Sequence, residues 1–228
     1  MRAALRVPAV LMTVVIGTAG AASCSHDSPT TSASGSPKAA TPHATPSRRT
    51  APRAADLPRH AVTADKRPSF GAADTMAAGY TGKDFLTGLS KKWKLTLDKP
   101  VEQEMPDGTM RTYVNGRGDN GMTVSAGYAD HRNLSSLLCR TRTDRPRGVD
   151  FLAACTGLDV PGVDHGKASA WLEQAKKETD SLYAKKAAES GNKKEYVVSG
   201  VFTSGPVTMI LHRAYDKYSL RILGGAVA

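Results

Sequence analysis

TMRTYVNGRGDNGMTVSAGY, residues 109–128, decides the fold class. Before the glycines, Met110, Thr112 and Val114 alternate with Thr109, Arg111 and Tyr113; after them, Met122, Val124 and Ala126 alternate with Thr123 and Ser125. A period of two places every second side chain on one face, the pattern of a strand half buried in a sheet. Between the two runs, Asn115 to Gly121 (NGRGDNG) is a dense turn signal, so the stretch reads as a β-hairpin. A turn this short leaves no room for a crossover, and the two strands must run antiparallel.

The pattern changes on either side of the hairpin. On the N-terminal side, Phe85, Leu89 and Trp93 recur at helical spacing, so Thr81 or Gly82 opens a helix, with Lys91, Lys92 and Lys94 near its C-terminal end, where the helix dipole favours cations. On the other side, residues 135–143 form a third strand. Residues 149–158 then read as a short helix with Phe151, Leu152 and Cys155 on one side, closed by Gly157 and broken at Val160-Pro161-Gly162. Asp164 is the expected N-cap of the longest helix, whose stripe holds Ala168, Trp171, Leu172, Ala175, Thr179, Leu182 and Tyr183, with Gly191-Asn192 as its stop. Residues 196–203, 207–214 and 218–223 are rich in β-branched and aromatic side chains and are separated by turn residues, which predicts three further strands. The expected fold is α+β: a mostly antiparallel sheet of five to six strands with helices packed on one face. Both halves share an αβββ outline, which suggests a duplicated unit. Residues 75–228 are expected to form this single domain.

Composition excludes several classes. With 40% hydrophobic, 6% aromatic and 23% charged residues, the 228-residue chain is neither collagen-like, fibrous nor wholly disordered. No uncharged apolar run reaches the roughly 20 residues of a spanning helix, so it is not a multi-pass membrane protein. The net charge of +10 is dispersed: residues 75–228 hold 22 basic and 17 acidic side chains, mostly interleaved. Nucleic-acid binders concentrate basic charge on one face among stacking aromatics, so nucleic acid is not an expected partner. Attraction to anionic envelope polymers or lipid head groups fits the excess better.

The N-terminus carries the most specific motif. Arg2 and Arg6 precede sixteen uncharged residues, Val7 to Ala22, which run into Ala21-Ala22-Ser23-Cys24, the outline of a signal peptide over residues 1–23. The segment resembles the lipobox of bacterial lipoproteins, with Ala21 where that family usually has Leu. The resemblance implies that Cys24 receives a diacylglyceryl thioether and becomes the mature N-terminus; the alternative that Ala21 leaves open is cleavage by ordinary signal peptidase after a small-x-small triplet, giving a freely secreted product. Cys139 and Cys155 then remain as an even pair in an oxidising compartment, expected to form a disulfide that staples the short helix to the third strand, worth about 3 kcal/mol. From Ser25 to His60, 24 of 36 residues are Ser, Thr, Pro or Ala, too little apolar surface to offset chain entropy, so residues 24–74 are expected to be a disordered tether.

Catalytic signals are sparse. Gly116, Gly118 and Gly121 match a dinucleotide fingerprint but lead into a strand, so no helix N-terminus receives a phosphate. Arg117-Gly118-Asp119, an adhesion-type tripeptide, reads as part of the same turn. No Gly-x-Ser-x-Gly elbow occurs. The Ser190-to-Lys193 spacing falls at a helix end, whereas the serine of penicillin-binding enzymes opens a helix. His131, His165 and His212 sit at element boundaries, and no His-x-His or Cys-x-x-Cys seeds a metal site, so neither metal nor cofactor is expected. Arg140, Arg142, Arg145 and Arg147 form the densest basic patch and the candidate anion-binding site, against the plainer reading of a charged edge strand. The Trp171 stripe reads as core packing.

Leader, tether and cysteine layout together resemble an actinobacterial-type cell-envelope lipoprotein of uncharacterised family. The expected protein is a monomer, lipid-anchored on the extracellular face of the cytoplasmic membrane. It is non-catalytic and binds a partner protein, an anionic envelope polymer or a small apolar ligand. The alternative is a tethered envelope hydrolase built around His131 or His212.

Overall fold

The computed structural model describes residues 51–105, 107–191 and 195–227. The leader, Cys24, the tether as far as residue 50 and Asn192 lie outside them. In chain order the elements are β1 (Val62–Thr63), α1 (Lys83–Trp93), β2 (Thr96–Leu97), β3 (Val101–Glu104), β4 (Met110–Arg117), β5 (Thr123–Tyr128), β6 (Leu134–Arg142), α2 (Gly148–Thr156), α3 (His165–Ser190), β7 (Tyr196–Val198), β8 (Phe202–Ser204), β9 (Val207–Ala214) and β10 (Lys217–Gly224).

All strand pairings among the described residues are antiparallel, in the order β1-β7-β9-β10-β6-β5-β4-β2, with β3 also on β4 and β8 also on β9. The class is α+β, but the sheet has ten strands rather than five to six. Three of the extra strands, β1, β2 and β3, span two to four residues, too short for alternation to register. The fourth arises because the strand expected over 196–203 is broken. Ser199 is buried, its Oγ accepting from the Leu211 amide at 2.9 Å and donating to the Gly200 carbonyl, so the chain bends between β7 and β8.

Alternation sorts the sheet residues into two faces. Val124 and Ala126 of β5, Leu137 and Cys139 of β6, Met209 and Leu211 of β9, and Leu220 and Ile222 of β10 pack with all three helices in one cluster. The helices contribute Leu86, Leu89 and Trp93, then Phe151, Leu152 and Cys155, then Ala168, Leu172 and Ala175. Cys139 and Cys155 are disulfide-bonded across this layer, with Cα atoms 6.6 Å apart, tying α2 to β6. Asp164 caps α3 as its sequence predicts, its carboxylate accepting from the Lys167 amide at 3.0 Å, and Gly191 ends the helix with φ +63°. Trp171, half-buried, stacks on Phe202 and donates to the Gly200 carbonyl, a packing role.

Residues 51–74, read from composition as the end of a tether, are instead hydrogen-bonded onto the domain. The Pro58 carbonyl accepts from Val201, the Glu178 carboxylate on α3 accepts from the Ala61 amide at 3.0 Å, and Val62 and Thr63 extend the sheet beside β7. The strap then passes to the face opposite the helices, where Phe70 and Ala73 pack on Leu223 and Ala226, and the Asp74 amide donates to the Gly224 carbonyl. A side chain at Gly224 would put its Cβ 2.5 Å from the Asp74 carbonyl oxygen, so only glycine admits the strap there. Composition misses this contact because the few apolar residues of the strap, Leu57, Phe70 and Ala73, fill hollows that the domain supplies.

Candidate functional site

On β6, β9 and β10, the positions that alternate with the core point to the face that carries no helix among the described residues, the helix-free face. Strand register sets Ser219 of β10 opposite Arg140 of β6 on one side and His212 of β9 on the other. Arg221, two residues along β10, is diagonal to both, on the order of 7–8 Å between Cα atoms for such pairs. Arg67 reaches the same place from the strap: its charge, with those of Arg140 and Arg221, acts on His212.

Among the described residues no carboxylate lies within ion-pair distance of Arg67, Arg140 or Arg221. Arg221 is held below the ordinary arginine value, first by loss of hydration and then by the Arg67 and Arg140 charges. The same surroundings act on His212, which burial first, then Arg221, Arg67 and Arg140, push down to about 4. Its ring is neutral at pH 7. Tyr196 Oη bonds to His212 Nδ1, while Nε2 is buried with no partner. The Ser219 hydroxyl also makes no hydrogen bond within the described residues. Three cations and two unused polar groups thus share one patch without a compensating acid.

The four-arginine patch of the sequence is divided. Only Arg140 belongs to this constellation. Arg142 is bound by Asp144 at 3.1 Å and Asp216 at 3.2 Å, Arg145 lies 4.0 Å from Asp144, and Arg147 lies over the Trp93 ring and 4.0 Å from Asp150. Strand pairing brings Arg221 in instead, and the strap brings in Arg67. Arg221 carried a sequence signal, as an outward position between Leu220 and Ile222; Arg67 carried none, since it was read as tether.

Among the described residues the histidines do not assemble a catalytic triad. His131 Nδ1 contacts both Thr112 Oγ1 at 2.7 Å and Glu102 Oε1 at 3.4 Å, whereas a general base needs one nitrogen for the nucleophile and the other for the orienting acid. His165 Nδ1 faces the Thr156 carbonyl, and His212 has a tyrosine, not an acid, as its partner. His60 pairs with Glu178 at 3.2 Å beside a shallow pocket of about 420 Å³ that Ser181 also lines, yet His60 makes no hydrogen bond to Ser181. No cluster of three or more His, Cys, Asp or Glu among the described residues has the geometry to hold a metal ion. At the hairpin tip the Gly118 amide donates to the Met122 carbonyl, and Arg117 turns toward Asp98 at 3.7 Å.

Set against known proteins, the chain matches no family model, no curated protein and no solved structure, so its own residues carry the functional reading.

Proposed function

We propose that the chain is a surface-tethered, non-catalytic cell-envelope lipoprotein that binds an anionic envelope polymer on its helix-free sheet face. The observation that carries this reading is the set of three arginines without an acid, Arg67, Arg140 and Arg221. Like charges gathered on one surface oppose folding slightly and attract anions strongly, and guanidiniums bind oxyanions through paired N–H donors. Lipidation at Cys24, resting on the lipobox-like leader, holds the domain at the extracellular face of the cytoplasmic membrane, within reach of such polymers. A duplicated αβββ origin is supported by the mirror-like sheet order β4-β5-β6 beside β10-β9-β7.

Two measurements test the reading. Mass spectrometry of envelope-extracted protein is expected to find a mature N-terminus at Cys24 carrying acyl mass; an unmodified terminus removes the anchor. Biolayer interferometry against immobilised poly(glycerol phosphate), polyglutamate and neutral dextran is expected to show salt-sensitive binding to anionic polymer only. Loss of at least tenfold in affinity in the double variant R140Q/R221Q is expected. Equal binding to dextran, or an unaffected double variant, defeats the polymer-binding reading.

A further inference from the structure

The arrangement of donors narrows the anion. Resting on the polymer-binding reading above, we infer that Arg67, Arg140, Arg221 and the Ser219 hydroxyl form a cradle for a phosphomonoester group. Arg140 on β6 and Arg221 on β10 are diagonal neighbours on one face of the sheet, and the charge of Arg67 on the strap acts on both Arg221 and His212. Each guanidinium presents a fork of parallel N–H donors, and together they offer more donors than the roughly four lone-pair sites of a carboxylate accept. A phosphomonoester has three terminal oxygens and a charge of about −1.5 to −2 at pH 7, one oxygen for each fork. A phosphodiester has two such oxygens and a single charge, and leaves one fork without an oxygen and two of the three positive charges uncompensated.

Ser219 sits at the centre of the cradle, between Arg140 and His212 in register, with an unused hydroxyl able to donate to the same group. His212 completes the floor. Neutral and joined to Tyr196, it adds bulk without a fourth positive charge. The contrast with neighbouring Arg142, which already holds Asp144 and Asp216, shows that acids are available on this surface and absent from the cradle.

The test titrates the full mature chain at pH 7.5 with methyl phosphate, dimethyl phosphate and acetate, following the guanidinium Nε–Hε and Ser219 amide signals by NMR. Methyl phosphate is expected to saturate and shift these signals, with at least tenfold weaker binding of dimethyl phosphate and acetate. R140Q and R221Q are each expected to weaken methyl phosphate at least tenfold, R67Q several-fold and S219A two- to fivefold, while each variant keeps the parent's circular dichroism spectrum. Dimethyl phosphate or acetate binding as tightly as methyl phosphate overturns the phosphomonoester assignment. So does saturable methyl phosphate binding that R140Q and R221Q leave unchanged. If methyl phosphate fails while polyglutamate or poly(glycerol phosphate) still binds through Arg140 and Arg221, this inference falls and the polymer reading stands; if no anion binds, both fall. Vesicles containing phosphatidic acid, compared with methyl phosphate competition on a phosphomonoester-bearing glycan, separate a lipid source from a glycan source. Competition in either arm supports the chemistry, and competition in neither overturns it.

Discussion

The two faces of the sheet treat arginine in opposite ways. On the helix side, Arg213 of β9 is enclosed: its Nε lies 3.3 Å from Asp180 on α3, and its guanidinium lies over the Tyr183 and Tyr218 rings. Tyr218 donates to the same Asp180 and is pushed above the usual tyrosine range, by burial first and then by Asp180. On the helix-free side, Arg221 and Arg140 sit one and two strands away with no acid, and His212 of β9 is left partly unpartnered. Where Arg213 is enclosed, an unpaired charge would be costly and the fold supplies a counter-charge; on the opposite face the exposed residues Arg140 and Arg221 keep their charges without one. On the proposed reading, stability resides mainly on one face and recognition on the other.

The sharpest way to break this division is on the stability face. Leu220, fully buried between β6 and β9 and facing the helices, is expected to cost about 2–5 kcal/mol when changed to Ala, read from the urea unfolding midpoint. Replacing Cys139 and Cys155 together by Ala removes the tie between α2 and β6, with an expected loss of about 3 kcal/mol by the same measurement.

An intermediate effect comes from His212. Its pKa is about 4 in the folded chain and about 6.5 when unfolded. As pH falls from 6.5 towards 4, the unfolded chain takes up a proton that the folded chain refuses, so stability declines through that window and levels off below it. The contribution is up to roughly 2–3 kcal/mol. H212Q is expected to flatten that part of the pH–stability curve, and an unchanged difference between the two proteins from pH 7 to pH 4 contradicts the assignment. The smallest effect belongs to the recognition face: R140Q is expected to shift stability by no more than about 0.5 kcal/mol, in either direction, while reducing anion binding. A large loss of stability in R140Q, seen by thermal melting, would mean that Arg140 is a structural residue after all.

The legible parts of the fold were those with local causes. Alternation around the glycines of residues 115–121 announced β4 and β5, and Asp164 announced the start of α3 through a carboxylate that needs only its own helix's amides. The short strands were not legible. Thr96 and Leu97 pair with β4 because the neighbouring strand offers free donors and acceptors, not because two residues carry a pattern. The strap's docking was not legible for a related reason: Phe70 marks renewed apolar content, but where it and Ala73 pack is set only once Leu223 and Ala226 are placed beside them.

The candidate site was legible in one residue of three. Arg140 stood out as part of a basic cluster, but its neighbours in sequence turned to Asp144, Asp216 and Asp150, and its partners in space came from distant chain. Residue order alone determined the strand and helix types, the inward and outward positions along each long strand, and the pairing of the two domain cysteines, because these depend on near neighbours or on elimination. Which arginines would stand without an acid was decided by tertiary structure. Only the insertion of β10 between β6 and β9 makes Arg140, Ser219 and His212 adjacent, and only the strap's passage round the sheet edge delivers Arg67 to them.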